Sequence, residues 1–192
     1  MAREFELKYA ATAEDLEILM GKYPHLHPIT METTYYDSLD GRLGDRHWTL
    51  RRRMENGVAV CTLKVPGQGF GCGEWETLCD DIFKALPLLM AMDAPKELAE
   101  LTAGGLKEFC GARFTRLATR VPTVDGFAEL ALDKGILLGS GRTIPLCEIE
   151  VEHKEGSDKA TLALAKLLVS RYGLEADGRS KFRRAMDLAN GD

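Results

Sequence analysis

The sequence predicts an α+β fold: an eight-stranded antiparallel β-barrel with a charged interior, flanked by helices, in one domain spanning residues 1–192. Three observations lead there. About eight runs alternate apolar and polar residues with the period of two that a strand requires, and turn signals separate them. Only a few helical segments interrupt those runs, which is the pattern of an α+β domain. On several strands the charged residues share one face and are sorted by sign.

The first strand sets the pattern. In Glu4-Phe5-Glu6-Leu7-Lys8, residues Glu4, Glu6 and Lys8 take one face and Phe5, Leu7 and Tyr9 the other. Thr12 with Asp15 forms a capping box opening a short helix with Leu16, Leu19 and Met20 as its apolar stripe. Met31 to Asp37 reads as a strand, followed by a polar turn at Asp40-Gly41. His47 to Glu55 is the next strand, and Asn56-Gly57 turns it into a hairpin with Val58 to Val65. The Gly-rich link from Pro66 to Gly73 lacks the Lys-Ser/Thr ending of a phosphate loop and precedes a strand-like run, Glu74 to Leu78, so it reads as a mobile hairpin connection. Asp81 to Thr102 is helical in pattern, split into two pieces by Pro87 and Pro95. Strands resume from Phe109 to Gly139, with turns at Asp125-Gly126 and Lys134-Gly135, and continue from Thr143 to Lys154. Ser157 caps a helix that runs to Tyr172 and stops at Gly173, and Ser180 to Leu188 forms a last short helix.

Composition narrows the function classes. A chain of 192 residues, 45% hydrophobic and 29% charged, can bury a sizeable core. No apolar run is long enough to span a bilayer and the start lacks a signal-peptide layout, so a cytoplasmic protein without a membrane partner is expected. A net charge of -5 argues against a nucleic-acid partner. The five cysteines, an odd number with no C-x-x-C, read as reduced thiols.

The charged faces suggest the chemistry. Arg51 and Arg53 share a face, with Arg52 on the other; Thr62 pairs with Lys64, Glu74 with Glu76, Arg116 with Arg120, Glu129 with Asp133, and Glu148 with Glu150 and Glu152. Each charged set stands opposite apolar residues. Three carboxylates in a row on one strand, confined with others, need a cation. Helices packed on the apolar side would turn these faces into the barrel interior. Guanidinium and ammonium groups there would take phosphate oxygens, and the carboxylates would take hard divalent cations such as Mg²⁺ or Mn²⁺.

These residues, in this order, resemble the CYTH, or triphosphate tunnel metalloenzyme, superfamily. Glu4-x-Glu6-x-Lys8 matches its E-x-E-x-K signature. Tyr35-Tyr36-Asp37, Leu50-Arg51-Arg52-Arg53, Thr62-Leu63-Lys64, Arg116, Ala131-Leu132-Asp133-Lys134-Gly135, Glu148-Ile149-Glu150-Val151-Glu152 and Ser180-Lys181-x-x-Arg184 follow in the family's order. The resemblance implies an eight-stranded tunnel that binds a small-molecule triphosphate and cleaves it with Mg²⁺ or Mn²⁺. It makes Lys8, Arg51, Arg53, Lys64, Arg116, Lys181 and Arg184 substrate ligands, and Glu4, Glu6, Asp133, Glu148, Glu150 and Glu152 metal ligands. Catalysis is expected to depend on Glu4, Glu6, Lys8 and Glu150. Glu74, Glu76 and Glu129 face the right way but match less well, and serve equally as partners for a neighbouring arginine.

The segment Tyr35 to Gly67 most resembles the bacterial inorganic triphosphatase branch, so hydrolysis of inorganic triphosphate to diphosphate and phosphate is the expected activity. That branch often carries a second, helical domain, and this chain stops at Asp192. Thiamine or nucleoside triphosphates are the alternatives within the family. A cyclase is less expected, because only Met1-Ala2-Arg3 precede Glu4 where cyclases carry a His-Phe pair. A sensor that binds without turnover is the non-enzymatic alternative, and a merely solvated polar sheet face the structural one. Trp48 and Trp75 are expected to pack in or beside the core rather than stack on a base.

Overall fold

The computed structural model describes residues 5–67 and 72–191. Glu4, expected as a metal ligand, and most of the Gly-rich link at Gln68–Gly71 lie outside the described residues. The sheet is built from β1 (Glu6–Ala10), β2 (His27–Ser38), β3 (Thr49–Glu55), β4 (Val58–Pro66), β5 (Cys72–Leu78), β6 (Leu106–Pro122), β7 (Phe127–Gly139), β8 (Arg142–Glu155) and β9 (Glu175–Ala176). The helices are α1 (Ala13–Lys22), α2 (Arg42–Asp45), α3 (Ile82–Ala91), α4 (Glu97–Thr102), α5 (Asp158–Tyr172) and α6 (Lys181–Asn190).

All strand pairs are antiparallel, in the order β5-β4-β3-β2-β6-β7-β8-β1-β9. This corrects the expected eight-stranded barrel in two ways. Among the described residues there are nine strands and the sheet is open: β5 pairs only with β4, and β9 only with β1. Closure requires a free ladder on both terminal strands. The free edge of β1 is instead taken up by β9, with Tyr9 opposite Ala176 and Ala10 opposite Glu175.

Three helix signals lie where the sequence puts them. Thr12 and Asp15 form the capping box of α1, Ser157 caps α5, and Gly173 ends α5 in the left-handed region; Asp81 caps α3 as well. The two helical pieces separate around Pro95, whereas Pro87 sits inside α3. The carbonyl it leaves without a partner belongs to Phe83, an exposed residue that water can reach.

The outer face of the sheet carries two apolar cores. Leu130, Leu132, Ile149 and Val151 pack with Leu16, Leu19 and Leu168 of α1 and α5. Leu50, Cys61 and Leu63 pack with Ile82, Leu89 and Leu98 of α3 and α4. Trp48 belongs to this second core and Trp75 packs against it. Four of the five cysteines, Cys61, Cys79, Cys110 and Cys147, are free thiols.

Helix α6 departs from the expectation that helices cover only the apolar side. Ala185 is buried with Met31, Tyr35, Phe114, Leu137 and Leu146, and Phe182 packs against them. Those strand residues have the parity of Arg51, Arg116, Asp133 and Glu148, so α6 lies on the charged face. Gly139 admits it: a Cβ there would stand 2.6 Å from Ala189 N and 2.7 Å from Ala185 O.

The turn expected at Lys134-Gly135 is absent. β7 runs straight through, with Gly135 between Phe114 and Leu146, and the hairpin comes at Ser140-Gly141. Gly135 is needed for close approach instead. A Cβ there would overlap the Arg113 carbonyl oxygen and lie 2.6 Å from Phe114 Cβ. Gly135→Ala is therefore expected to lower stability by about 1–3 kcal/mol, as overpacking does. The midpoint of urea denaturation checks it.

Candidate functional site

Strand register gathers the charged residues on one face. Directly opposite one another stand Lys8 and Glu150, Glu6 and Glu152, Glu152 and Glu129, Glu148 and Asp133, and Asp133 and Arg116. On the other half, Arg51 faces Thr62, Thr62 faces Glu76, and Lys64 faces Glu74. Arg52 points the other way, its Nη1 donating to the Asp80 carbonyl at 3.3 Å.

The centre of the face is a buried ion cluster. The side chains of Asp133 and Glu148 have no exposure and that of Glu150 has 7%. Arg116 forks onto Asp133, Nε to Oδ1 and Nη2 to Oδ2, both at 2.8 Å, and its Nη2 also donates to Glu150 Oε2. The Lys181 ammonium lies 2.7 Å from Asp133 Oδ2 and 2.8 Å from Glu150 Oε1, and it also donates to Glu148 Oε1. Arg184 Nη1 reaches Glu148 Oε2 at 2.9 Å. All six carboxylate oxygens thus have a cationic donor, and the three formal negative charges meet three positive ones. The Phe114 ring backs the cluster, 5.2 Å from Lys181 Nζ and 6.0 Å from the Arg116 guanidinium carbon.

Burial and charge act against each other here. Burial raises Glu148, with help from Glu150, to about 7 despite Lys181. Burial also raises Glu150, but Lys181 and Arg116 outweigh it and hold Glu150 well below the usual carboxylate range. Burial would lower Lys181 and Arg116, and their carboxylate partners raise both above their ordinary values instead.

The other expected residues form smaller groups. Lys64 Nζ lies 3.2 Å and Arg51 Nη2 3.8 Å from Glu74 Oε1, with Arg51 4.0 Å from Glu76. Arg53 pairs with Glu55, and Lys8 with Glu6. Lys154 Nζ joins Glu152 at 2.7 Å to Glu129 at 3.9 Å. Burial and the adjacent Arg51 charge push Arg53 below the ordinary arginine value. Among the described residues, Arg51 and Arg53 on this face, like Arg52 on the other, each have a buried Nε–H with no acceptor. Tyr35 joins the two halves: burial raises its hydroxyl, and the charges of Arg51, Lys181 and Arg53 partly counter that.

One contributor, Phe114, went unread in the sequence, and Glu74 was read as an arginine partner but not as one shared with Lys64. Phe114 was legible in principle, lying two residues before Arg116 and so on the same face. Glu74 as the shared partner of Arg51 and Lys64 required the β4–β5 register, which the Gly-rich link does not encode.

The donor chemistry fits a hard divalent cation. Asp133, Glu148 and Glu150 each offer a carboxylate oxygen, and these lie within 4.8 Å of one another. Mg²⁺ and Mn²⁺ take such oxygens. Among the described residues no helix is long and apolar enough to cross a membrane.

The CYTH domain model matches residues 2–186. The chain belongs to the CYTH family. Enzymes of this family are metal-dependent triphosphatases and cyclases that bind triphosphate substrates. Solved structures share the CYTH fold at low identity. A Hippeastrum protein, a candidate adenylyl cyclase with a dominant triphosphatase activity, is 23% identical with a TM-score of 0.70, covering 98% of this chain and 96% of its own. A candidate adenylate cyclase from Bacillus halodurans is 19% identical with a TM-score of 0.67, covering 94% and 96%. The PH1819 protein of Pyrococcus horikoshii is 23% identical with a TM-score of 0.66, covering 96% and 99%.

The raised Glu148 makes a stability prediction for this CYTH domain. A carboxyl whose folded value exceeds its unfolded one favours folding below the unfolded value, and that contribution is lost as pH rises through about 7. Glu148→Gln removes the titration. Relative to wild type, the variant should therefore gain stability between pH 5 and pH 8, in EDTA. Urea midpoints of both proteins at the two pH values measure the change.

Proposed function

We propose that this CYTH protein hydrolyses inorganic triphosphate to diphosphate and phosphate with Mg²⁺ or Mn²⁺. The observation that carries this reading is the single sheet face on which Lys8, Arg51, Arg53, Lys64 and Arg116 stand among carboxylates, with Lys181 and Arg184 reaching into it from α6. Recognition by such a face needs charge alone, and inorganic triphosphate offers nothing else. Trp48 and Trp75, the side chains best suited to stack on a base or thiazolium ring, are committed to the outer core. The dominant triphosphatase activity of the Hippeastrum protein agrees with hydrolysis rather than cyclisation.

In this reading Arg51, Arg53 and Lys64 hold the phosphate chain, the arginines through forked bonds and the lysine as a point charge. The Nε–H groups of Arg51 and Arg53 gain the acceptors they lack. Arg116 orients Asp133 and Glu150 through its fork and its further bond. Asp133, Glu148 and Glu150, with Glu6 and Glu152 further along the face and Glu4 ahead of β1, are the residues that would hold the metal. Bound there, it would supply Lewis-acid stabilisation of phosphoryl charge and an activated water. Lys8, opposite Glu150 on β1, adds positive charge where negative charge develops at the phosphoryl oxygens.

The test is phosphate release from inorganic triphosphate, thiamine triphosphate and ATP with Mg²⁺, Mn²⁺ or EDTA. Metal-dependent turnover favouring inorganic triphosphate is expected, and preference for ATP or thiamine triphosphate would replace the substrate. Glu6→Gln and Glu150→Gln should each abolish turnover, while Arg52→Ala, on the outer face, should stay within about twofold of wild type, the scale of a surface change.

A further inference from the structure

Lys181 occupies the place where the three carboxylates converge. We propose that its ammonium is a resident stand-in for the metal: it fills the Asp133–Glu148–Glu150 site when no divalent cation is bound, and leaves that site for the phosphate-binding side of the face when one is. This rests on the reading of those three carboxylates as metal ligands.

Geometry supports exchange over coexistence. The ammonium contacts one oxygen of each carboxylate, Asp133 Oδ2, Glu150 Oε1 and Glu148 Oε1. Mg²⁺ using the same acid trio requires those oxygens at about 2.0–2.1 Å, which leaves no room for the nitrogen between them. Of the three cations in the cluster, Lys181 is the one able to leave. Arg116 is fixed by its fork on Asp133 and its bond to Glu150, and Arg184 stands to one side on Glu148 alone. Lysine carries a compact charge on a flexible four-carbon stem, so its head can re-aim without moving the backbone. Helix α6 keeps its place meanwhile, because Phe182 and Ala185 hold it to Tyr35, Met31 and Leu146.

Exchange also explains how the site survives empty. Three buried carboxylates with no cation between them would repel one another and take up protons. With Lys181 touching one oxygen of each, they stay converged.

The decisive experiment needs no substrate. Mn²⁺ binding to wild type, Lys181→Gln and Glu150→Gln is followed by the EPR signal of free Mn²⁺. Removing the competitor should tighten Mn²⁺ binding in Lys181→Gln by about tenfold or more, and Glu150→Gln should weaken it. Equal or weaker binding by Lys181→Gln, with binding lost in Glu150→Gln, would overturn the stand-in role and leave the metal ligands intact. Unchanged binding by Glu150→Gln would instead remove the carboxylates from the metal site, and the exchange with them. Wild type gives a second measurement free of any folding defect. In reductive methylation mapped by mass spectrometry, Lys181 should be protected in EDTA and modified in saturating Mn²⁺; equal protection in both would rule the exchange out.

Discussion

Three carboxylates on neighbouring strands, with almost no access to water, are costly to bury unless cations touch them. Asp133, Glu148 and Glu150 impose that condition on this CYTH domain, and Arg116, Lys181 and Arg184 meet it. The consequence reaches across the chain. Lys181 and Arg184 come from the last helix, so the cluster ties α6 to the middle of a sheet laid down by earlier strands. Buried ion clusters are poor sources of net stability, since hydrophobic side chains of similar volume usually do as well or better. Packing alone does not call for this one, and the chemistry it prepares does.

Antiparallel register is what makes the cluster possible. Side chains directly opposite one another share a face, so Arg116, Asp133 and Glu148 are brought side by side simply by pairing β6, β7 and β8. A slip of one residue in β7 would send Asp133 into the outer core and Leu132 among the ions. The two outer cores prevent it. Leu130, Leu132, Ile149 and Val151 under α1 and α5, and Leu50, Cys61 and Leu63 under α3 and α4, fix each strand's parity by burying its apolar half. The polar face is held in register by the apolar one.

This division explains what could be read from the sequence. Alternation is a local property, and it gave the correct facing of Arg51, Arg53, Lys64, Arg116, Asp133 and the Glu148 strand, with Arg52 turned outward. Caps and the Asn56-Gly57 hairpin are local as well. Closure of the sheet is a global property: a two-residue strand, β9, on the edge of β1 leaves no pattern in its own sequence, and the open sheet was not foreseen. The position of α6 was hidden for a related reason. Its apolar residues show that one face is buried, but not on which side of the sheet. Gly135 was misread because glycine serves turns and close approaches alike, and only the neighbouring Arg113 carbonyl distinguishes them.

The balance of charge across the face also constrains how a polyanion is received. Lys64 and Arg51 already neighbour Glu74, Arg53 already pairs with Glu55, and Lys8 with Glu6. On the proposed reading, a triphosphate drawing on these cations competes with the carboxylates that already hold them. A divalent cation arriving with the anion restores the balance, because it supplies positive charge where the side chains have been diverted. On the proposed reading, such a face favours the metal–triphosphate pair over either ion alone, through neutrality rather than through recognition of any organic group.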